Sequence, residues 1–573
     1  MKPSASNDTF PNRFQKNNTA GIWFNEVAEF DFAEADLKLL VKRCTDAYLG
    51  FKEVNTKGLS PALLADKKPR MVFVTLTDTF GPAYVYLGTG KGIVAAVKSV
   101  VNQILPISTI MTVAKIDFVE SPIDITQSGL QRKHVSKIDF YGLAFAKQTG
   151  FALLADEISS KSKRQRHHDL IASYKKAVIE KSKVYLFSSK SFYADQNEVV
   201  KLYRGHRFYK KLNEKKLLKA ASLGAKYLTR SVKKSGKFIY SYLTRSDKVQ
   251  KKYNMLRHAG TIYAMLEYYE VSKDKEVLAA AETAIGYLKK KIKPCGNKKQ
   301  YKCVVDKEYV KLGGNGLAII ALSKYTLVTS DKQYIPLMQS LASWMLSVQK
   351  PNGQFVYKIR LSDEKDTGFV SEYYPGEAML ALVRLYNLDK NEKWLDAAEK
   401  DASYLIHIRD KGKKISRLNH DHWLLMALNE LYRHRKKKDY LEHTVRIVTA
   451  ITDAQHLEPL FPDYHGSYYV PPRTTPTAVR SEGLIAAYHL LLDHKYQTAM
   501  LLKIKRAFEA GISFQLQTQF RKENTLYLKN AQRVMGGFKR GLGNYEIRID
   551  YVQHNVSSIL GMYKMLRDGE IEY

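Results

Sequence analysis

At 573 residues the chain can bury more than one core, and with 45% hydrophobic and 26% charged residues its composition excludes a disordered or collagen-like polymer. Its 92 Lys and Arg against 57 Asp and Glu leave a formal charge of +35, a field that gathers anionic partners, while three cysteines are too few for a disulfide scaffold or a zinc cage. That charge is scattered in short runs from Lys210-Lys211 to Arg435-Lys436-Lys437-Lys438, the pattern of a solvated basic surface, so nucleic acid, which needs a clustered stripe, is disfavoured as a partner.

Residues 1–30 are polar and predict a flexible lead-in. They hold no apolar core of signal-peptide length, and no run of about 18 apolar residues occurs later. The chain is therefore expected to be soluble, cytoplasmic as written or periplasmic or secreted if a signal peptide has been removed. Residues 31–205 predict an α/β domain whose role the sequence does not reveal. Helical spacing covers 33–48, β-rich runs cover 70–77 and 83–87 on either side of the turn-like Thr79-Phe80-Gly81-Pro82, and 92–105 form an amphipathic helix. β-rich stretches at 109–119, 142–145 and 150–154, helical spacing over 161–183 and a final strand at 184–192 complete a mixed sheet with helices. The glycine-rich Gly88-Thr89-Gly90-Lys91-Gly92 precedes a helix, where backbone N–H groups can cradle phosphate, but it lacks the spacing of a P-loop or dinucleotide fingerprint and reads as a strand-to-helix turn.

Over 206–573 the pattern changes to helix after helix. Six segments, 256–269, 314–325, 376–386, 421–432, 482–492 and 555–566, open on a polar or glycine-containing turn and then run small and apolar nearly all round, as helices buried on every side do. Amphipathic helices alternate with them at 216–231, 275–291, 333–349, 392–408, 439–453 and 494–517. Six outer–inner pairs closing side by side make an (α/α)6 toroid with a central cleft. The connection between His456 and Arg480 exceeds usual loop lengths and predicts a lid or binding loop. Cys295 and Cys303 flank Gly296-Asn297-Lys298-Lys299, where a hairpin disulfide and two free thiols both fit.

Gln349-Lys350-Pro351-Asn352-Gly353-Gln354-Phe355 is similar to the Gln-x-x-x-Gly-x-aromatic turn of the six-hairpin (α/α)6 toroid superfamily, and Gly536-Gly537-Phe538 resembles a second such turn. The resemblance covers 212–573 and a superfamily of glycoside hydrolases, polysaccharide lyases, uronyl epimerases and terpene-cyclase relatives, of which the last is disfavoured because its Asp-rich signature is missing. It implies a carbohydrate-active enzyme whose funnel is lined by the N-terminal ends of the inner helices and the loops entering them.

At those positions stand Arg257 and His258; Asn315; Glu372, Tyr373, Tyr374 and Glu377; Asn419, His420, Asp421 and His422; Arg480 and Glu482; and Arg548, Asp550, Tyr551, His554 and Asn555. Helix capping accounts for Asp421 or Asn555, but Arg and His at the positive end of a helix dipole oppose capping and point to a functional cleft. Acid/base hydrolysis needs two carboxyl groups, with Glu372, Glu377, Asp421 and Glu482 as candidates, and it leads the expectations. A lyase or uronyl epimerase needs Arg or Asn to neutralise a carboxylate and His or Tyr to move a proton. Asn419-His420-Asp421-His422-Trp423 is similar in part to the Asn-His-aromatic motifs of toroidal alginate lyases, which carries over Asn419 and His420 and leaves the remaining roles to Tyr373, Tyr374 and Arg257. His420, Asp421 and His422 bear on a metal, but residues at i and i+2 do not share a helix face, so no metal and no cofactor is expected. The catalytic candidates are Glu372, Glu377, Asp421, Glu482, His420 and Tyr373. The other named residues would bind an acidic polysaccharide or cell-envelope glycan, with a catalytically idle glycan- or protein-binding scaffold as the alternative.

Overall fold

The structure is a computed structural model that describes residues 26–77, 83–105, 113–120, 122–125, 142–145, 152–153, 183–296 and 299–571. The lead-in up to residue 25, the turn at Thr79–Pro82 and all but the last residue of the helix expected over 161–183 lie outside the described residues. The chain forms two compact units: Met1–Phe208 with Thr244–Asp247 and Phe520–Met535, and Tyr209–Leu243 with Lys248–Gln519 and Gly536–Tyr573.

In the first unit, strands β1 (Pro69–Thr77), β2 (Tyr84–Lys91), β3 (Val113–Val119), β8 (Ser189–Ala194), β9 (Val199–Tyr203) and β10 (His206–Arg207) form one sheet in the order β10-β9-β8-β3-β1-β2. A second, small sheet has the order β4-β7-β5-β6, from Ile123–Asp124, Gly142–Phe145, Ala152–Leu153 and Val184–Phe187. Helices α1 (Glu34–Leu49) and α3 (Ile93–Ile104) share a core with Val72, Val74, Leu76, Ala114, Ile116 and Phe118, the alternate residues of one sheet face.

The mixed sheet expected from sequence is instead antiparallel at every pairing among the described residues. The reason is topological: α3 carries the chain from β2 across to β3, which both run against β1, so the strands that are parallel to each other never touch. The single strand expected over 184–192 breaks at Ser188 into β7 and β8, one in each sheet.

The glycine-rich segment serves packing. A Cβ on Gly88 or Gly90 would come within 2.3 or 2.7 Å of the α3 backbone, and the first N–H of α3, that of Ile93, is already taken by Asp66 Oδ2 at 2.9 Å. The short helix α2 (Pro61–Ala65) precedes that aspartate.

The second unit is built from twelve helices. The odd-numbered ones are α5 (Met255–Ser272), α7 (Leu312–Thr329), α9 (Tyr374–Asp389), α11 (His422–Tyr432), α13 (Thr474–Asp493) and α15 (Ile549–Arg567). Each packs on the next, and α15 packs on α5, so they form a closed inner ring. The even-numbered α4 (Glu214–Ser231), α6 (Lys275–Lys290), α8 (Ile335–Ser347), α10 (Glu392–Tyr404), α12 (Lys438–Asp453) and α14 (Thr498–Gln517) pack outside them. The fold is an (α/α)6 toroid. The inner helices approach so closely that a Cβ on Gly376 would stand 2.4 Å from the α11 backbone.

Two inner helices begin earlier than expected, at Thr474 rather than Glu482 and at Ile549 rather than Asn555. Their polar opening residues hid the first turns, although Pro476 sits where a helix loses no internal donor. Arg480, Glu482, His554 and Asn555 therefore project from within helices instead of from their ends.

After α8, Gln349 Nε2 donates to Gly353 O at 3.0 Å and to Ala397 O of α10 at 2.9 Å, clamping the turn to the next outer helix. Gln455 repeats this after α12 with Gly466 O and Ala507 O, and Gln519 after α14 with Gly536 O and Ala220 O. The loops entering the inner helices carry short strands, among them β13 (Ile292–Cys295) and β14 (Tyr301–Asp306), across which Cys295 and Cys303 form a disulfide.

Candidate active-site cleft

A cavity of about 1310 Å³ opens within the toroid unit at the N-terminal ends of the inner helices. Five lysines and five arginines line it against four carboxyl groups, and Tyr240, Tyr253, Tyr373, Tyr374, Tyr469, Tyr551 and Trp423 supply aromatic faces. Rings of this kind stack on sugars through their apolar sides and keep a polar tip for hydroxyl groups.

One cluster of titratable side chains joins three helices. His422 at the start of α11 and His554 in α15 lie edge to face with ring centroids 5.2 Å apart, and both line the cavity. Glu482 of α13 stands beside them, its Oε1 3.0 Å from His554 Nδ1 and its Oε2 3.9 Å from His422 Nε2. Burial pushes the Glu482 carboxyl up to about 7 against the pull of His554. Burial, His554 and Arg480 together hold His422 well below the usual imidazole range, so it is neutral, and neither of its ring nitrogens has a hydrogen-bond partner.

These three residues form the one group among the described residues whose ligand atoms gather for a metal, all within 4.8 Å of one another. Ligands about 2.0–2.2 Å from a zinc ion stand about 3.4 Å apart in a tetrahedron. The wider spread here, closed on one side by the Glu482–His554 hydrogen bond, suits proton transfer better than metal binding.

On one wall Arg257 Nε donates to Asp550 Oδ2 at 3.0 Å, Arg548 Nη2 donates to the same oxygen at 2.8 Å, and Arg257 Nη1 donates to the Tyr240 hydroxyl at 2.6 Å. Burial alone would raise the Asp550 carboxyl, but Arg548 and Arg257 hold it below its ordinary range and hence ionised. Elsewhere along the lining Arg480 Nε donates to His420 Nδ1 at 2.8 Å and its Nη2 to the Tyr469 hydroxyl at 3.1 Å. Burial and Arg480 push His420 down to about 4, which leaves it neutral and accepting. Glu377 of α9 also lines the cavity, 5% exposed, with its carboxyl raised to about 8 by burial and by nearby Asp421.

Of the residues expected at the site, Arg257, Tyr373, Tyr374, Glu377, His422, Arg480, Arg548, Asp550, Tyr551 and His554 line this cavity, and Glu482 and His420 are hydrogen-bonded to lining residues. The remaining ones stand elsewhere. His258 is fully buried between Tyr253 and the Ala284 carbonyl, to which its Nε2 donates at 2.9 Å. Asn315 ties α7 to β14 by accepting from Val304 N and donating to Lys311 O.

Asp421 caps α11 by accepting from Leu424 N, and Asn555 is buried against Thr474 and Tyr551. Glu372 is exposed and Asn419 half-buried, and neither lines the cavity. Tyr240, Trp423, Tyr469, Arg473 and Arg540 line it without having been foreseen as single residues. Tyr469 and Arg473 belong to the long connection expected to form a lid, and that length was their signal.

No family model matches the chain, and no curated protein matches it in sequence. Among solved structures it is similar to cellobiose 2-epimerase from Bacillus thermoamylovorans, at 13% identity over 61% of this chain and 98% of that one with a TM-score of 0.47. It is also similar to the GH76A α-1,6-mannanase of Salegentibacter sp. HEL1_6, at 11% identity over 61% and 99% of the two chains with a TM-score of 0.45. An unsaturated glucuronyl hydrolase specific for heparin is similar at 15% identity over 62% and 99% of the two chains with a TM-score of 0.46.

Proposed function

We propose that the cleft is the active site of a carbohydrate-active enzyme that moves protons on a sugar unit of an acidic glycan, in the manner of a polysaccharide lyase or uronyl epimerase. The observation that carries this reading is the pair of cleft-lining imidazoles, His422 and His554, set 5.2 Å apart around one buried glutamate. Neutral His422 is suited to take the proton beside the carboxylate of a uronate unit, and the electron pair left on that carbon spreads into the carboxylate. Glu482 holds Nδ1 of His554, which orients the ring and leaves Nε2 for the substrate.

In epimerisation the second imidazole returns a proton to the opposite face. In elimination the electron pair forms a C4=C5 double bond while the C4–O bond breaks and the leaving oxygen takes the proton. The excess of lysine and arginine over carboxylate along the wall fits an anionic polymer.

Hydrolysis is the second reading, and one observation favours it: Glu377, protonated up to about 8, lines the same cleft as a ready general acid. Its weakness is the partner. Asp550 is locked between two arginines, Asp421 is bound to backbone N–H groups, Glu482 is held by His554, and Glu372 lies outside the lining.

A panel of uronate-containing and neutral polysaccharides incubated in D2O separates the readings. Deuterium at C5 or absorbance from unsaturated ends is expected, with kcat lowered about 10²–10⁴-fold in His554→Gln. Reducing ends without either signal, lost in Glu377→Gln and kept in His554→Gln, would establish hydrolysis instead.

A further inference from the structure

We propose that Arg480 is the receptor for the carboxylate of the reacting sugar unit, so that the cleft selects a uronate over the matching neutral sugar; this rests on the proton-transfer reading of the same cleft. Arg480 is 8% exposed yet lines the cavity, and no carboxylate of the described residues lies within ion-pair distance of it. Other arginines of the toroid unit are paired: Arg257 and Arg548, which also line the cavity, share Asp550, and the buried Arg384 is paired with Glu430. A guanidinium out of water without a counter-ion is costly, and a protein keeps one where a ligand supplies the charge.

The hydrogen bonds of Arg480 define what it can still hold. Nε donates to His420 Nδ1, Nη1 to Pro476 O at 2.9 Å and Nη2 to the Tyr469 hydroxyl. A guanidinium has five N–H groups, so one remains on each terminal nitrogen, a donor pair of the kind that a carboxylate takes with two oxygens. All three partners are neutral, and Tyr468 and Tyr469 lie against the guanidinium at 4.5 and 5.3 Å, fixing its plane without cancelling its charge.

The placement has a chemical consequence. The same charge that would bind the carboxylate helps to hold His422 and His420 neutral. A bound carboxylate screens Arg480 from His422 and strengthens that imidazole as a base when substrate is in place, while the guanidinium stabilises the charge that develops on the carboxylate as its neighbouring proton leaves.

The test is direct binding to the full-length protein, followed by calorimetry, with D-glucuronate, D-glucose and glucose 6-phosphate as probes. Wild type is expected to bind glucuronate about tenfold or more tightly than glucose, the difference being lost in Arg480→Gln and partly kept in Arg480→Lys, with glucose affinity the same in all three. Glucuronate should also raise the His422 titration midpoint, read by NMR, in wild type and not in Arg480→Gln. Equal affinity for glucuronate and glucose, discrimination surviving in Arg480→Gln, or tighter binding of glucose 6-phosphate than of glucuronate would overturn the proposal. Binding requires no turnover, so a finding of hydrolysis in the polysaccharide panel sinks the reaction class while leaving this result readable. C5 exchange without discrimination sinks only the receptor.

Discussion

Glu377 is buried with no ion-pair partner among the described residues, and its carboxyl is raised from 4.5 to about 8 by burial and Asp421. Between those values the unfolded chain has released a proton that the folded chain keeps, so stability falls as pH rises through this window. Asp401, raised to about 8, and Asp421 and Glu482, each raised to about 7, act with the same sign. Chemical denaturation should therefore show lower stability at pH 8 than at pH 5.5. Glu377→Gln removes one of these costs and should be more stable than wild type at pH 8 by up to about 4 kcal/mol, with little difference at pH 5. Equal pH slopes for the two proteins would show that Glu377 is ionised in the folded state.

Residue type at the inner-helix starts pointed to ten of the residues that line the cleft, five of them Arg or His, which have no capping role there. It could not separate ligand-facing groups from buried structural ones: His258 and Asn315 occupy equivalent sequence positions but spend their hydrogen bonds inside the scaffold. That distinction depends on which way a side chain rotates, and the residue pattern does not carry it.

Among the elements, the glutamine-clamped turns bear the sharpest constraint. Gly353 has φ +93°, and a Cβ there would stand 2.2 Å from Lys400 O of α10, whereas Gly412 has φ +69° with nothing within 4 Å. Gly353→Ala should thus cost about 2–3 kcal/mol, strain plus clash, and Gly412→Ala about 1 kcal/mol from backbone conformation alone. Thermal unfolding of the two variants gives the comparison, and equal shifts would remove the clash from the account.

The clamp at Gln349 and the turn at Gly536 were legible because their residues are contiguous or nearly so. The clamp at Gln455 was not, since its glycine lies eleven residues on at Gly466. The 3.6-residue period revealed the alternation of inner and outer helices, but the opening turns of α13 and α15 escaped because their buried residues mix polar with apolar ones. In the first unit, strand composition located strands without their partners, so the antiparallel order had to come from the backbone.

At the scale of the molecule, the formal charge of +35 makes association with polyanions a salt-dependent quantity. Affinity for an acidic polysaccharide should fall as ionic strength rises from 0.05 to about 0.5 M, where the Debye length shrinks toward that of a contact, and affinity for a neutral glycan should stay flat. Parallel curves for the two polymers would mean that the basic surface plays no part in capture.

The inner ring is sealed by α15 packing on α5, and α15 also brings Asp550, Tyr551 and His554 to the cleft. Within the ring α15 is thus the keystone of the scaffold and, on the proton-transfer reading, the bearer of one of the two imidazoles. A variant that lacks α15 would have an open ring and only one imidazole of the pair, so closure of the scaffold and the proposed proton transfer would be lost together.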